Sequence, residues 1–322
     1  MARARGLSTL AGAADAVSWL GPLLVGLDTV RAPVVVGCSG GADSLALLAL
    51  ACARELEPAA VHVDHGLRTG SDREGEIVAQ HAARLGVPFR AETVTVHSGP
   101  NVEARARAAR YEALERARAE IGATAILVGH TADDQAETVL LNLLRGSGSA
   151  GLAGMPTHRG TIVRPLLEIR RADTEALCGA LDFAPLHDPS NDDLTLRRNW
   201  IRHEILPALT AGSQRDLVPV LTRQATLLRE ESDYLDSLAR AAWPVDDDTP
   251  ARVLAAMPPV LARRALRQWL GAPPPSLDEV GRVLAVARGD ARATELAGGR
   301  RVWRREGHLF LSAVAGSLRR DR

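Results

Sequence analysis

Hydrophobic and polar positions change period repeatedly along the first half of the chain. The run Val34-Val35-Val36 closes on Gly37 and reads as a strand, and a helical pattern follows at 44–54. Apolar runs at 59–63, 89–96 and 125–129 predict further strands, and 3.6-residue patterns at 74–85, 102–121 and 133–144 predict helices. Strands alternating with helices make an α/β fold, a doubly wound parallel sheet covered on both faces. In such sheets ligands lie beyond the carboxyl ends of the strands. Residues 146–160 are glycine-rich and read as a mobile loop at the mouth of the site. A short strand at 162–165, a helix at 171–181 and a polar turn at 187–193 follow. From there the pattern is mainly helical, at 197–209, 215–243, 260–270 and 277–287, interrupted at 246–250 and by Pro273-Pro274-Pro275. Residues 301–312, with Glu306-Gly307 at their centre, have the spacing of a hairpin. The expected domains are therefore a catalytic α/β domain at 1–210 and a smaller, mainly helical domain with a terminal hairpin at 211–322.

The leading segment needs separate treatment. Arg3 and Arg5 precede an apolar stretch, as in a signal peptide, but Asp15 interrupts it while Leu10, Val17, Leu20 and Leu24 recur at helical spacing. A short amphipathic helix is the better expectation. No run is long and apolar enough to span a membrane.

Composition narrows the function classes. The 322 residues suit two domains, and 39 basic residues balance 39 acidic ones. Net charge is zero, so an RNA site would need local arginine clusters rather than a global field. All basic residues are arginine. Cys38, Cys52 and Cys178 form no CxxC pair, which argues against disulfides and structural zinc and fits a reducing cytoplasm.

The first chemical signal is Ser39-Gly40-Gly41-Ala42-Asp43-Ser44, between the first strand and its helix. Glycines admit close backbone approach, the helix start offers unpaired amides, and two serine hydroxyls add donors, which together make an anion cradle. It lacks the Gly-Lys-Ser/Thr of a Walker A loop. Asp43 would repel a phosphate unless a metal ion lay between them. The motif resembles the signature of the PP-loop ATP pyrophosphatases, which cleave ATP between the α- and β-phosphates and activate a substrate as an adenylate.

The second signal is Gly129-His130-Thr131-Ala132-Asp133-Asp134-Gln135-Ala136-Glu137-Thr138. Asp133 is the expected N-cap, and Asp134 and Glu137, three apart, share a helical face at the strand ends. With His130 they could hold Mg²⁺ or a cationic substrate. Two basic segments follow a different logic. Arg107, Arg110 and Tyr111 share one helix face, which suits RNA phosphates and a stacked base or, equally, a solvated surface balanced by glutamates. Arg198, Asn199 and Arg202 remain available for phosphate once Ile201, Ile205 and Leu206 have packed. His62 and His65 flank Asp64 without a metal-type pattern. Arg300, Arg301, Arg304 and Arg305 around Trp303, with Arg319, Arg320 and Arg322, form the densest basic patch, either an RNA contact or solvated surface.

Together, residues 39–44, 62–68, 101–111, 129–138, 145–155 and 198–207 resemble the tRNA(Ile)-lysidine synthase family, in family order, and the chain is similar to its short form. The resemblance implies ATP as substrate, Mg²⁺, free L-lysine, a tRNA(Ile) with a CAU anticodon, a cytoplasmic setting and a homodimer. It implies ligation of lysine to the 2-carbon of the wobble cytidine through an adenylated intermediate, releasing AMP and pyrophosphate. Ser39 to Ser44 would take the nucleotide. Asp43, His130, Asp134 and Glu137 would be catalytic, Asp43 and Asp134 would hold the metal, and Arg107, Arg110, Tyr111, Arg198 and Arg202 would meet RNA or substrate. A tRNA thiolase, which also adenylates a base, would need a catalytic cysteine pair or an iron-sulfur cluster.

Overall fold

The computed structural model describes residues 20–64, 66, 72–95, 99, 102–186, 188–243 and 250–312. Leu10, Val17, His65, Leu67, Arg68, Asn101, His187, the acidic break at 246–249 and Arg319, Arg320 and Arg322 lie outside these. Contacts divide the chain into two compact units, Met1–Leu228 and Arg229–Arg322.

The first unit begins with α1 (Leu20–Val25) and then alternates β1 (Val34–Gly37), α2 (Ala42–Ala53), β2 (Pro58–Asp64), α3 (Asp72–Leu85), β3 (Phe89–Thr93), α4 (Val102–Ile121), β4 (Ala125–Val128) and α5 (Ala132–Leu144). After α6 (Ser149–Leu152) come β5 (His158–Arg159), β6 (Ile162–Val163) and α7 (Arg171–Ala180). The strands make one sheet in the order β3-β2-β1-β4-β6-β5, parallel except for the β5 edge. Reversal of order between β1 and β4 marks the switch point at which such sheets take ligands.

Side-chain alternation explains the two covered faces. Val34, Val36 and Leu127 join Leu45, Leu48 and Leu177 in one cluster, whereas Val35, Val61 and Ile126 join Leu114 and Ala117 in another. Helix α2 has no polar face over Leu45–Ala51, and every one of these residues is buried, as expected of a helix enclosed on all sides. Each such Leu or Val contributes about 1.5–3 kcal/mol by leaving water.

The glycine-rich stretch differs from the expected mobile loop. It contains α6 and the β5 edge, and the Gln135 amide fixes Met155 from both sides, at 2.9 and 2.7 Å, while Asn142 donates to the Gly151 carbonyl at 2.7 Å. Polar side chains of α5, not glycine content, decide its conformation. Beyond α7, a 3₁₀ turn (Pro189–Asp192) leads into α8 (Arg197–Trp200), a π-helical turn (Ile201–Ile205), α9 (Leu206–Ser213) and α10 (Leu217–Ala242).

The second unit packs the end of α10, α11 (Ala251–Ala256), α12 (Pro259–Leu270) and α13 (Leu277–Arg288) around Trp243, Leu266, Val283 and Val302. Ser276 and Glu279 form a capping box at the start of α13, and Gly289, at φ 91°, ends it. The expected hairpin is the β8 (Arg300–Arg305) and β9 (His308–Ser312) pair of a three-stranded antiparallel sheet. Its third member, β7 (Ala293–Leu296), is Ala-Thr-Glu-Leu, which carries no strand propensity pattern and pairs only because β8 is already there. Arg300 also departs from the expected basic patch. It is 6% exposed and donates to the Leu270 and Pro273 carbonyls at 2.8 and 3.0 Å, so it closes the end of α12.

Two glycines set the geometry of the first unit's loop. Gly40 holds φ at +86°, and a Cβ there would meet Leu186 at 2.4 Å. At Gly129 a Cβ would stand 2.9 Å from the Asp43 backbone carbonyl, so the end of β4 lies directly against the start of α2. We expect Gly129→Ala to lower stability by about 1–3 kcal/mol through overpacking, which a urea titration measures.

Candidate active site

The turn from β1 into α2 is wired from within. Ser44 Oγ donates to the Gly41 carbonyl at 2.9 Å and accepts from the Ser39 amide at 3.2 Å, with Ser39 Oγ 3.4 Å away. No side chain caps α2 at Gly41, so its leading amides remain available to an anion. Ser39, Gly41, Ala42, Asp43 and Ser44 line a cavity of about 1010 Å³, with Gly40 forming the turn behind them.

The second motif lies on the same cavity. Thr131, rather than the expected Asp133, caps α5, and its amide and hydroxyl donate to Asp134 Oδ2 at 2.9 and 3.2 Å. Position decides this: Asp134 is three residues past Thr131, as a capping box requires. Asp133 is thereby freed to accept from the Arg171 amide at 2.8 Å and from the Arg170 guanidinium. The start of α7 is fastened to the start of α5.

Three carboxylates and three guanidiniums then interlock. Arg171 reaches Asp43 at 3.3 Å, Asp134 at 3.0 Å and Glu137 at 3.6 Å. Glu137, 1% exposed, is held by Arg198 at 2.7 Å and Arg202 at 2.6 Å, and both arginines also reach Asp134, at 3.2 and 3.7 Å. Arg198 and Arg202 are therefore not the free phosphate donors that spacing alone suggests. Asn199 is buried too, donating to the Ser190 and Asp193 carbonyls. Thr174 donates to Asp43 Oδ1. Burial pushes the Asp43 carboxyl up from its ordinary value, and Arg171 and the Thr174 hydroxyl offset only part of the shift. At Asp134 the balance reverses: burial is outweighed by Arg171, Arg198 and His130, so its carboxyl is held down.

His130 sits between the acids and the basic side of the cavity. Burial, with Arg107, Arg164 and Arg110 nearby, pushes its imidazole down to about 3 against the pull of Asp134. Its Nδ1 is buried with no hydrogen-bond partner among the described residues. Arg107 and Arg110 lie over the Tyr111 ring at 5.2 and 5.4 Å, and Arg107 donates to the phenol oxygen at 3.3 Å. Guanidiniums, not a base, stack on that ring here. Burial raises the Tyr111 phenol, but Arg107, Arg110 and Arg164 outweigh it and bring it down. Among the described residues no carboxylate pairs with Arg107, Arg110 or Arg164. Of this group Arg110 lines the cavity.

The cysteines offer no nucleophile. Burial pushes the thiols of Cys38, Cys52 and Cys178 up to about 12. His62, also buried, meets the Cys38 carbonyl at 2.9 Å through Nδ1. Among the described residues no group of three or more His, Cys, Asp or Glu side chains is arranged to hold a metal ion by itself.

Residues 24–209 match the model of the PP-loop domain family. Among curated relatives, a tRNA(Ile)-lysidine synthase of Salinispora arenicola is 43% identical over 299 residues, covering 86% of this chain and 90% of the relative. One from Thermobifida fusca is 38% identical over 297 residues, with 87% and 91% covered. The chain belongs to the tRNA(Ile)-lysidine synthase family. A member of that family is an enzyme, and its PP-loop domain is a site for ATP. The fold is shared with the U34-tRNA thiolase NcsA of Methanococcus maripaludis, a solved structure with TM-score 0.51 and 18% identity over 70% of this chain and 78% of that one.

Two groups in this lysidine synthase-family site escaped sequence reasoning, Arg171 with Thr174 and Arg164. A signal for Arg171 was present. Arg170 and Arg171 occupy the N-cap and first residue of α7, where a cation opposes the helix dipole, so acids must lie close by. Arg164 carried no such mark; it follows β6 and is 3% exposed.

We expect Glu137→Gln to cost about 2–3 kcal/mol, less than the roughly 3–5 of a fully buried broken pair because Arg198 and Arg202 are partly wet. Urea unfolding measures it. His130 should stay neutral through pH 5–8 by imidazole NMR. Because its value is depressed below the ordinary 6.5, the stability tied to the neutral ring is complete above pH 6.5 and lost as pH falls towards 3.

Proposed function

We propose that the chain joins free L-lysine to the 2-carbon of the wobble cytidine in the CAU anticodon of tRNA(Ile), with ATP cleaved to AMP and pyrophosphate. The observation that carries this reading is the meeting of a phosphate cradle with a network of three carboxylates and three guanidiniums, of which Asp43, Asp134, Arg171 and Arg202 line the same cavity as the cradle. A binding module for RNA needs the arginines but gains nothing from Asp43, Asp134 and Glu137 beside a PP-loop.

In this reading the loop amides and Ser39 take ATP phosphates at the start of α2. The cytidine 2-oxygen attacks the α-phosphorus and pyrophosphate leaves; the lysine amine then attacks C2 and AMP leaves. Arg107 and Arg110, already stacked on Tyr111, suit RNA phosphates, and an anticodon loop lowers the cost of presenting an unstacked base. Arg202, pinned by Glu137, lines the cavity and offers a fixed guanidinium to an entering group. Neutral His130 can accept a hydrogen bond from an amine at pH 7 without first losing a proton.

Mg²⁺ belongs to the proposal. Asp43 and Asp134 are hard oxygen donors beside the cradle. Two carboxylates completed by substrate phosphates are the set that Mg²⁺ favours over an all-protein cage. When bound it would neutralise phosphate charge. A cytoplasmic setting follows from the substrates; among the described residues no helix is long and apolar enough to cross a membrane.

The thiolase reading is disfavoured by three thiols that burial keeps protonated. Purified protein given ATP, Mg²⁺, labelled lysine and CAU-anticodon tRNA(Ile) should incorporate lysine with one AMP and one pyrophosphate released per lysine. Incorporation of sulfur instead, or an absence of ATP cleavage, would overturn the assignment.

A further inference from the structure

Among the described residues Arg171 is the one cation that reaches Asp43, and the same guanidinium spans Asp134 and Glu137. Its backbone location makes this hold conditional. It is the first residue of α7, where the positive end of the helix dipole works against a cation. What keeps it there is the acid cluster alone. The side chain is 24% exposed and lines the cavity that also presents the PP-loop.

The three acids do not depend on it equally. Glu137 keeps Arg198 and Arg202, and Asp134 keeps Arg198 with its Thr131 donors. Asp43 would keep only the Thr174 hydroxyl. Departure of Arg171 therefore bares one oxygen of Asp43 and part of Asp134 while leaving Glu137 neutralised. A triphosphate on the adjacent amides is a stronger partner for a planar fork than carboxylates it shares with two other arginines.

We propose that Arg171 is an exchangeable counter-cation, which passes from Asp43 and Asp134 to the triphosphate when nucleotide binds and so opens those carboxylates to a second cation only in the nucleotide-bound state. This rests on the reading of the cavity as the ATP site. The second cation is a hard divalent ion or a primary ammonium, both of which the bared Asp43 oxygen accepts beside a partly freed Asp134. Arg171 is thus a positioning residue that makes cation binding follow nucleotide binding. By linkage, each of the two ligands strengthens the other by the same factor.

The two cation classes are read separately. Equilibrium dialysis of labelled lysine against the wild-type protein, with and without Mg²⁺ and an ATP analogue whose α–β bridge is methylene, should show at least about tenfold tighter lysine binding with the analogue. The same affinity in both states, or no binding in either, would overturn the ammonium arm. Without nucleotide, Mn²⁺ binding followed by electron paramagnetic resonance should tighten by at least about tenfold in Arg171→Gln and stay at the wild-type level in Arg171→Lys, which retains the charge. An Arg171→Gln protein that folds and keeps wild-type Mn²⁺ affinity would overturn the divalent arm. Should Arg171→Gln fail to fold, the wild-type lysine measurement alone decides the proposal. Lysine incorporation into tRNA without cooperativity would remove this role and leave the function intact. Sulfur incorporation would remove the function while the Mn²⁺ measurement still read Arg171.

Discussion

Glu137 is a carboxylate at 1% exposure with an arginine on each oxygen, and the geometry of the cavity follows from that burial. A charge taken out of water costs several kcal/mol and is tolerated only when opposite charge and hydrogen bonds surround it. Arg198 and Arg202 meet this demand from the segment that follows the 3₁₀ turn, and Arg171 meets it from α7. Two remote parts of the sequence are thereby drawn to the first turns of α5. The ion pairs themselves add little net stability, because desolvation offsets most of their attraction. Their effect is positional: Asp43, Asp134 and Glu137 cannot be brought this close without cations between them.

Positioning on the other side comes from close packing. Gly129 lets the β4 carboxyl end touch the backbone of Asp43, and Gly40 lets the loop turn beneath Leu186. The parallel sheet supplies the frame, since β1 and β4 are neighbours and both release their chains at the same edge. Anion-binding amides and the acid cluster are consequently neighbours through strand order, although some 90 residues separate them in sequence. A cradle for negative charge and a group of acids thus lie side by side, and guanidiniums neutralise the acids.

The second unit obeys ordinary packing rules, with one instructive arginine. Arg300 belongs to the densest basic stretch of the chain yet is buried, spending its donors on two carbonyls near the end of α12. Arg304 likewise donates to the Ala287 carbonyl at 3.1 Å. Charge density along a sequence overstates the charge offered at a surface, because arginine also serves as a multi-donor clasp for orphan carbonyls.

By itself the sequence determined the α/β fold class, the parallel alternation and the placing of both motifs at strand ends. Hydrophobic period and glycine position are local properties that neighbouring residues express directly, and so is the charge of Asp43, Asp134 and Glu137. The strand β7 was not legible, since Ala-Thr-Glu-Leu adopts its conformation from β8 rather than from its own propensity. The N-cap at Thr131 instead of Asp133 was half legible; both residues can cap, but Asp134 stands at the capping-box position for Thr131, and Arg170 and Arg171 then take up Asp133. What the tertiary structure alone decided is who neutralises whom. Arg198 and Arg202 look free in sequence and are committed to Glu137, whereas Arg171, unmarked except for its poor fit to a helix start, spans three carboxylates. Ion pairing acts through space over a few ångströms, and nothing in residue order states which distant charges the chain will bring within that range.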